Sequence, residues 1–149
     1  MITVDNKQFT NMNAAFEGGH QLKMYQDSKG IWTVGVGHNI QDNGISLAVS
    51  EMMHKEDLQA AIRECHAFRW WRGMDDVRQA AIVDMVFNMG MPTFKGFKNT
   101  IYYLSEGMYN AAAKEVLIGG RPDGKSGYYH DTGRRAEIIS KMIETGEWQ

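Results

Sequence analysis

The chain has 149 residues, 43% of them hydrophobic and 23% charged, proportions that suit one soluble globular domain and exclude a disordered or fibrous chain. A domain of this length buries roughly two-thirds of the surface its extended chain would expose, so neither disulfides nor a structural metal is required, and the single cysteine, Cys65, cannot bridge internally and leaves the redox compartment open. A net charge of -2, divided as -3 over residues 1–60 and +1 over residues 61–149, offers no polybasic face and speaks against a dedicated nucleic-acid-binding domain.

Met1-Ile2-Thr3-Val4-Asp5 has neither the basic start nor the apolar run of a secretory leader, so no export signal is legible. Asp5 and Gln8 have the spacing of a capping box, and Phe9, Met12 and Phe16 recur near a helical period, which predicts a short first helix. Gly18-Gly19 should end it, with Glu17 in its last turn. Ile31 to Val36 reads as a strand of an antiparallel hairpin whose turn lies at Asp27-Ser28-Lys29-Gly30. Gln41-Asp42-Asn43-Gly44 reads as a turn; beyond it Ser46 or Ser50 can cap a helix that carries Met53, Leu58, Ala61, Ile62 and Cys65 toward a core and runs to about Phe68.

Trp70 and Trp71 are adjacent and cannot both face one core. Asp76 with Gln79 is a second capping-box candidate, before a segment through Met89 that is apolar almost all round and is therefore expected to be the central helix. Gly90-Met91-Pro92 closes it. Phe94, Phe97, Ile101 and Leu104 mark one or two helical pieces, Ala111 to Ile118 another, and Ala136, Ile139 and Ile143 the last; Gly119 to Gly127 is read as a mobile glycine-rich loop. The longest apolar stretches, such as Ala80 to Val83, fall far short of the roughly 20 residues that cross a bilayer, so no stable membrane insertion is expected. The pattern is that of a mainly helical α+β protein. It predicts a single domain over residues 1–149, with a small β-containing lobe at about 17–50 and a helical lobe from about 51–149 that includes the N-terminal helix, two layers meeting at a cleft.

The informative pair is Glu17, at a helix end, and Asp27, ten residues later in a glycine-rich turn. A carboxyl at the negative end of a helix dipole, partly buried, keeps its proton more readily, whereas one in a polar turn stays ionised. Two acids in unlike environments are what glycosidic hydrolysis uses, although two acids at this spacing are ordinary surface groups in most proteins. Gly35 and Gly37 weaken the strand and imply a close approach of backbone or ligand, or a bulge. Histidines 20, 38, 54, 66 and 130 have no metal-ligand spacing, Cys65 has no CxxC neighbour and reads as an inert core residue, and no phosphate-binding loop is present; neither metal nor cofactor is expected. Met85, Phe87, Met89, Phe94, Phe97 and Met108 read mainly as core.

Glu17-Gly18, Leu22, Tyr25, Asp27, Gly30, Thr33, Gly35, Gly37 and His38 together resemble the signature of the phage-type lysozymes, the muramidases typified by the T-even phage endolysin. The resemblance resumes from Gln79 to Gly90 and again from Thr132 through Arg135-Ala136 to Thr145-Gly146-Glu147-Trp148. It implies a lysozyme-like fold, Glu17 as general acid, Asp27 as the carboxylate that activates water, and Thr33 helping to hold that water. It makes His38 a packing and hydrogen-bonding residue beside the turn or a direct tuner of the acids, and Tyr25 an orienting residue of the turn or a core tyrosine. Phe94 and Asn99 fall where the family builds part of its cleft, and Tyr128, Tyr129, His130 and Thr132 where it builds the far wall; Phe94, Asn99, Tyr129 and Thr132, together with Tyr25 and His38, are thereby candidate substrate-binding residues.

The substrate so implied is peptidoglycan, cut at the β-1,4 bond between N-acetylmuramic acid and N-acetylglucosamine with inversion, by a monomer that collects in the host cytoplasm and reaches the wall through a membrane lesion such as a holin makes. The chain departs from the T-even pattern in one extra residue between Glu17 and Tyr25, in a β lobe cut short after His38, and in its slightly acidic charge. A lytic transglycosylase would need the general acid but not Asp27 and Thr33, and a non-catalytic wall-binding protein of the same fold would need none of the three.

Overall fold

The computed structural model describes residues 3–149; Met1 and Ile2, the start of the stretch read for a leader, lie outside the described residues. The chain divides into two compact units, Met1–Met52 and Met53–Gln149.

The first unit contains helix α1 (Lys7–Phe16), strands β1 (Gln21–Gln26), β2 (Trp32–Gly35) and β3 (His38–Asn39), the single helical turn α2 (Ile40–Asn43) and the start of α3 (Leu47–Cys65). The cap of α1 is Asn6 and not Asp5: its Oδ1 accepts the Phe9 N–H at 3.1 Å. Either side chain can cap, and the choice falls to the residue whose backbone is still extended where the helix begins. Helix α1 buries none of its residues, so the period of Phe9, Met12 and Phe16 marked a helix without a buried face. The sheet is antiparallel in the order β1-β2-β3. Central β2 sets Thr33 opposite Tyr25 on one side and Asn39 on the other. The expected turn closes the hairpin through Gly30 N–H to Asp27 O at 3.0 Å.

Strand β3 and helix α2 were not legible, because two paired residues and one helical turn are too short to show a period. The expected turn at Gln41–Gly44 is instead mostly helical, started by Asn39, whose Oδ1 accepts the Asp42 N–H at 3.0 Å. Between Gln21 and Tyr25 the pairing register shifts, with four residue steps on β1 against two on β2. The helix end before it closes with Gly19 N–H on Ala14 O at 2.7 Å.

The second unit holds the remainder of α3, a 3₁₀ turn at Trp71–Gly73, and helices α4 (Asp76–Met89), α5 (Met91–Phe94), α6 (Lys98–Ser105), α7 (Tyr109–Leu117), α8 (Gly127–Thr132) and α9 (Arg134–Thr145). Ser46 caps α3 by accepting the Val49 N–H at 3.3 Å, and the helix stops at Cys65, short of Phe68. Along α3 Ala61 and Cys65 are buried, but Met53 and Ile62 are exposed. Asp75, not Asp76, caps α4 through the Arg78 N–H at 2.9 Å; Gln79 turns its amide to the Trp71 and Met74 carbonyls instead of completing a capping box. The apolar run of α4 buries Ala81, Ile82, Val83, Met85 and Val86.

Helix α4 is not surrounded: Phe87 is 40% exposed and meets the His54 ring edge-on at 5.6 Å. Met108, also read as core, is exposed. Helix α9 shares the centre, packing on α4, α7 and α8. The adjacent tryptophans separate as sterics requires, Trp71 buried and Trp70 half-buried on the Phe68 ring at 4.7 Å. The segment read as a mobile loop is tied: Ile118 bridges Lys125, Gly119 N–H meets Gly124 O at 2.9 Å, and Ser126 caps α8, which the sequence reading did not find. Gly133, at φ 53°, separates α8 from α9.

Candidate active site

Glu17 is the C-cap of α1, with its N–H on Asn13 O at 3.1 Å. The two glycines that follow, at φ 82° and 80°, turn the chain out of the helix in a conformation other residues adopt at a cost. Glu17 is exposed, so the burial expected of it is not seen. Its carboxyl lies against the β2–β3 turn: a Cβ placed on Gly37 would stand 3.0 Å from Glu17 Oε2.

Asp27 opens the β1–β2 turn. Its Oδ1 accepts two backbone N–H groups, from Lys29 at 2.8 Å and Ile31 at 2.9 Å. These bonds, the Ile31 one foremost, with the nearby Lys29 charge adding a smaller effect, hold the carboxyl below the usual aspartate range. Asp27 is therefore ionised at neutral pH, as its place in a polar turn predicts. Both bonds fall on Oδ1, which leaves Oδ2 to receive a proton or a water. Thr33, 4% exposed, donates its hydroxyl to Ile31 O at 3.0 Å. Ile31 O also accepts the Asp27 N–H at 3.0 Å, so the Ile31 backbone fastens Asp27 and Thr33 to each other. No reading of side-chain types singles out Ile31, because its part is played by its peptide groups; the signal was the Asp27 turn, whose side chain bonds the backbone two and four residues on.

Tyr25 is half-buried and faces Thr33 across the β1–β2 pair. His38 Nε2 makes a 2.6 Å hydrogen bond with Gly44 O, tying β3 to the end of α2; its bond goes to the backbone and to neither acid. In the second unit the candidates divide. Phe94 is 0% exposed, packed between Phe68 at 5.9 Å and Phe97 at 6.5 Å, and has no surface with which to touch a sugar. Asn99 donates to Glu115 Oε2 at 3.1 Å and lines a cavity of about 600 Å³ with Phe97, Thr100, Glu115 and Ser126. Tyr129 gives its hydroxyl to Glu137 at 2.9 Å and lies under Lys125 Nζ at 3.8 Å. Thr132 spends its hydroxyl on Tyr128 O at 2.7 Å. Among the described residues no group of three or more histidine, cysteine or acidic side chains is placed to hold a metal ion.

A family model described as phage lysozyme matches residues 14–127, most of the chain, including Glu17, Asp27, Thr33, His38 and Asn99 and stopping before Tyr129 and Thr132. The chain belongs to the phage lysozyme family. The chain is similar to the protein named probable T4-type lysozyme 1 of Dictyostelium discoideum, at 26% identity over 161 aligned positions covering 88% of this chain and 91% of that one. Probable T4-type lysozyme 2 of the same organism is 24% identical with the same coverage. The endolysin of Salmonella phage P22 is 32% identical over 126 positions, 79% of this chain and 84% of its own. As a phage lysozyme the chain is a glycosidase of the lysozyme and endolysin type, and its small sheet and helical second unit fit the lysozyme-like α+β fold.

Proposed function

We propose that this lysozyme hydrolyses the β-1,4 bond between N-acetylmuramic acid and N-acetylglucosamine in peptidoglycan, with Glu17 as general acid and Asp27, helped by Thr33, positioning the attacking water. The observation that carries this reading is the unlike setting of the two acids: Asp27 is kept ionised by two backbone donors on one oxygen, while Glu17, the C-cap of α1, lays its carboxyl against the β2–β3 turn. The glycosidic oxygen takes the Glu17 proton as its bond to the anomeric carbon breaks, and the water that adds there loses a proton to Asp27. The Thr33 hydroxyl, its proton directed to Ile31 O, presents lone pairs that can accept from that water.

The proposal includes inversion, for which the two carboxyls must leave room for a water, roughly 6.5–9.5 Å apart. Asp27 grips the residue before β2, and Glu17 lies at the turn after it. Among the described residues no helix is long and apolar enough to cross a membrane. The proposal includes action as a monomer, from the host cytoplasm, once another protein has opened the membrane. Asn99, Tyr129 and Thr132 remain proposed substrate contacts.

Clearing of a peptidoglycan suspension tests the roles. Glu17→Gln and Asp27→Asn should each slow it by about 100- to 10,000-fold, and clearing at the wild-type rate by either variant removes that residue from the chemistry. The first product should carry a reducing muramic acid end in the α configuration; a β anomer overturns inversion, and a 1,6-anhydro end identifies a transglycosylase.

A further inference from the structure

Residues 35–37 link Val34 to its partner His38 across the β2–β3 pair. Both glycines in this link are left-handed, Gly35 at φ 68° and Gly37 at φ 69°, so the backbone alone favours glycine at each. They differ in what surrounds them. A Cβ on Gly35 would meet nothing within 4 Å, whereas one on Gly37 would meet Glu17 Oε2 at 3.0 Å, Cδ at 3.6 Å and Cγ at 3.9 Å. The Glu17 side chain, from Cγ to its carboxyl tip, thus borders the space that a side chain at residue 37 would take. The turn it lies against is itself held, since Val34 pairs with His38 and His38 bonds Gly44 O at 2.6 Å.

We propose that Gly37 is a positioning residue for the general acid: the absence of a side chain makes the seat that fixes the Glu17 carboxyl, with Oε2 against the turn and Oε1 farther from it. The inference rests on the reading of Glu17 as the acid, and it assigns Gly37 a part beyond permitting the turn. A methyl at 3.0 Å is tighter than ordinary carbon–oxygen contact and displaces the carboxyl by some tenths of an ångström or turns it to another rotamer. A general acid works only within hydrogen-bond reach of the atom it protonates, and a misplacement of about 1 Å costs about 100-fold in rate.

The experiment compares Gly37→Ala with Gly35→Ala. Both carry the left-handed backbone cost, and only the first meets Glu17. Gly37→Ala should lower kcat on a soluble peptidoglycan fragment by about 10- to 100-fold with KM within about twofold, and Gly35→Ala, at a similar fall in Tm, should lose far less kcat. Equal losses of kcat in the two variants overturn the proposal. A second measurement does not depend on activity or on the glycine variants folding: in nitrogen-15 spectra, Glu17→Gln should move the Gly37 amide resonance and leave that of Gly35 nearly in place, and an unmoved Gly37 resonance also overturns it. If Glu17→Gln clears peptidoglycan normally while the Gly37 resonance moves, the catalytic reading of Glu17 fails although the contact stands.

Discussion

An aspartate that accepts two backbone N–H groups on one oxygen has a double attachment, to the proton balance and to the turn. Because the Asp27 pKa is lowered in the folded chain by the Ile31 and Lys29 N–H groups, the unfolded chain binds the proton more readily. The ionised carboxyl therefore stabilises the fold fully above the ordinary aspartate value near 3.9, and that contribution is lost as the pH falls through the lowered folded value. Asp27→Ala should thus melt below wild type at pH 6, and the difference in Tm should shrink as thermal melts are repeated below about pH 3; a constant difference would mean that the carboxyl charge takes no part. Cys65 behaves in the opposite sense: burial, with the Glu64 charge nearby, pushes its thiol up to about 12, which matches the inert core residue read from its place on an apolar helix face.

Among the elements, α4 and α9 are joined by Arg78 at one end, in addition to the Arg135–Asp84 ion pair. Arg78, in the first turn of α4, donates Nε to Ile143 O at 2.7 Å and Nη2 to Glu144 O at 2.9 Å, meets Asp75 at 2.5 Å, and lies 4.0 Å from the Tyr109 ring centroid. The carbonyls are at the end of α9, where a cation also faces the negative end of the helix dipole. Gly146 follows at φ 72°, and a Cβ there would stand 2.5 Å from the guanidinium. Charge-assisted bonds are worth about 1.5–3 kcal/mol each, so Arg78→Ala should lower the unfolding free energy in urea by about 3 kcal/mol. Arg78→Lys should recover little of it, because one ammonium cannot reproduce the fork that reaches both carbonyls. This staple spans 65 and 66 residues of chain, and nothing local to Arg78 announces it. The misplaced caps have a local cause: Asp5 and Asn6, and likewise Asp75 and Asp76, are adjacent residues that can each cap, and the backbone angle that selects one is not written in side-chain type.

At the scale of the whole molecule the charge of -2 gives no long-range pull toward an anionic wall. Between about 0.01 and 0.15 M salt the screening length falls from about 30 to 8 Å, yet binding to sedimented peptidoglycan should change by less than about threefold; a steep loss would reveal a basic face that the net charge hides. The longer helices and the Asp27 turn were legible because helical period, glycine punctuation and turn chemistry act over a few neighbouring residues. Only folding in three dimensions buried Phe94 away from any sugar, made the Ile31 peptide the link between Asp27 and Thr33, and brought Gly37 under a glutamate twenty positions earlier in the chain. Such contacts depend on how turns and strands close in space, and a residue's own type does not carry that information.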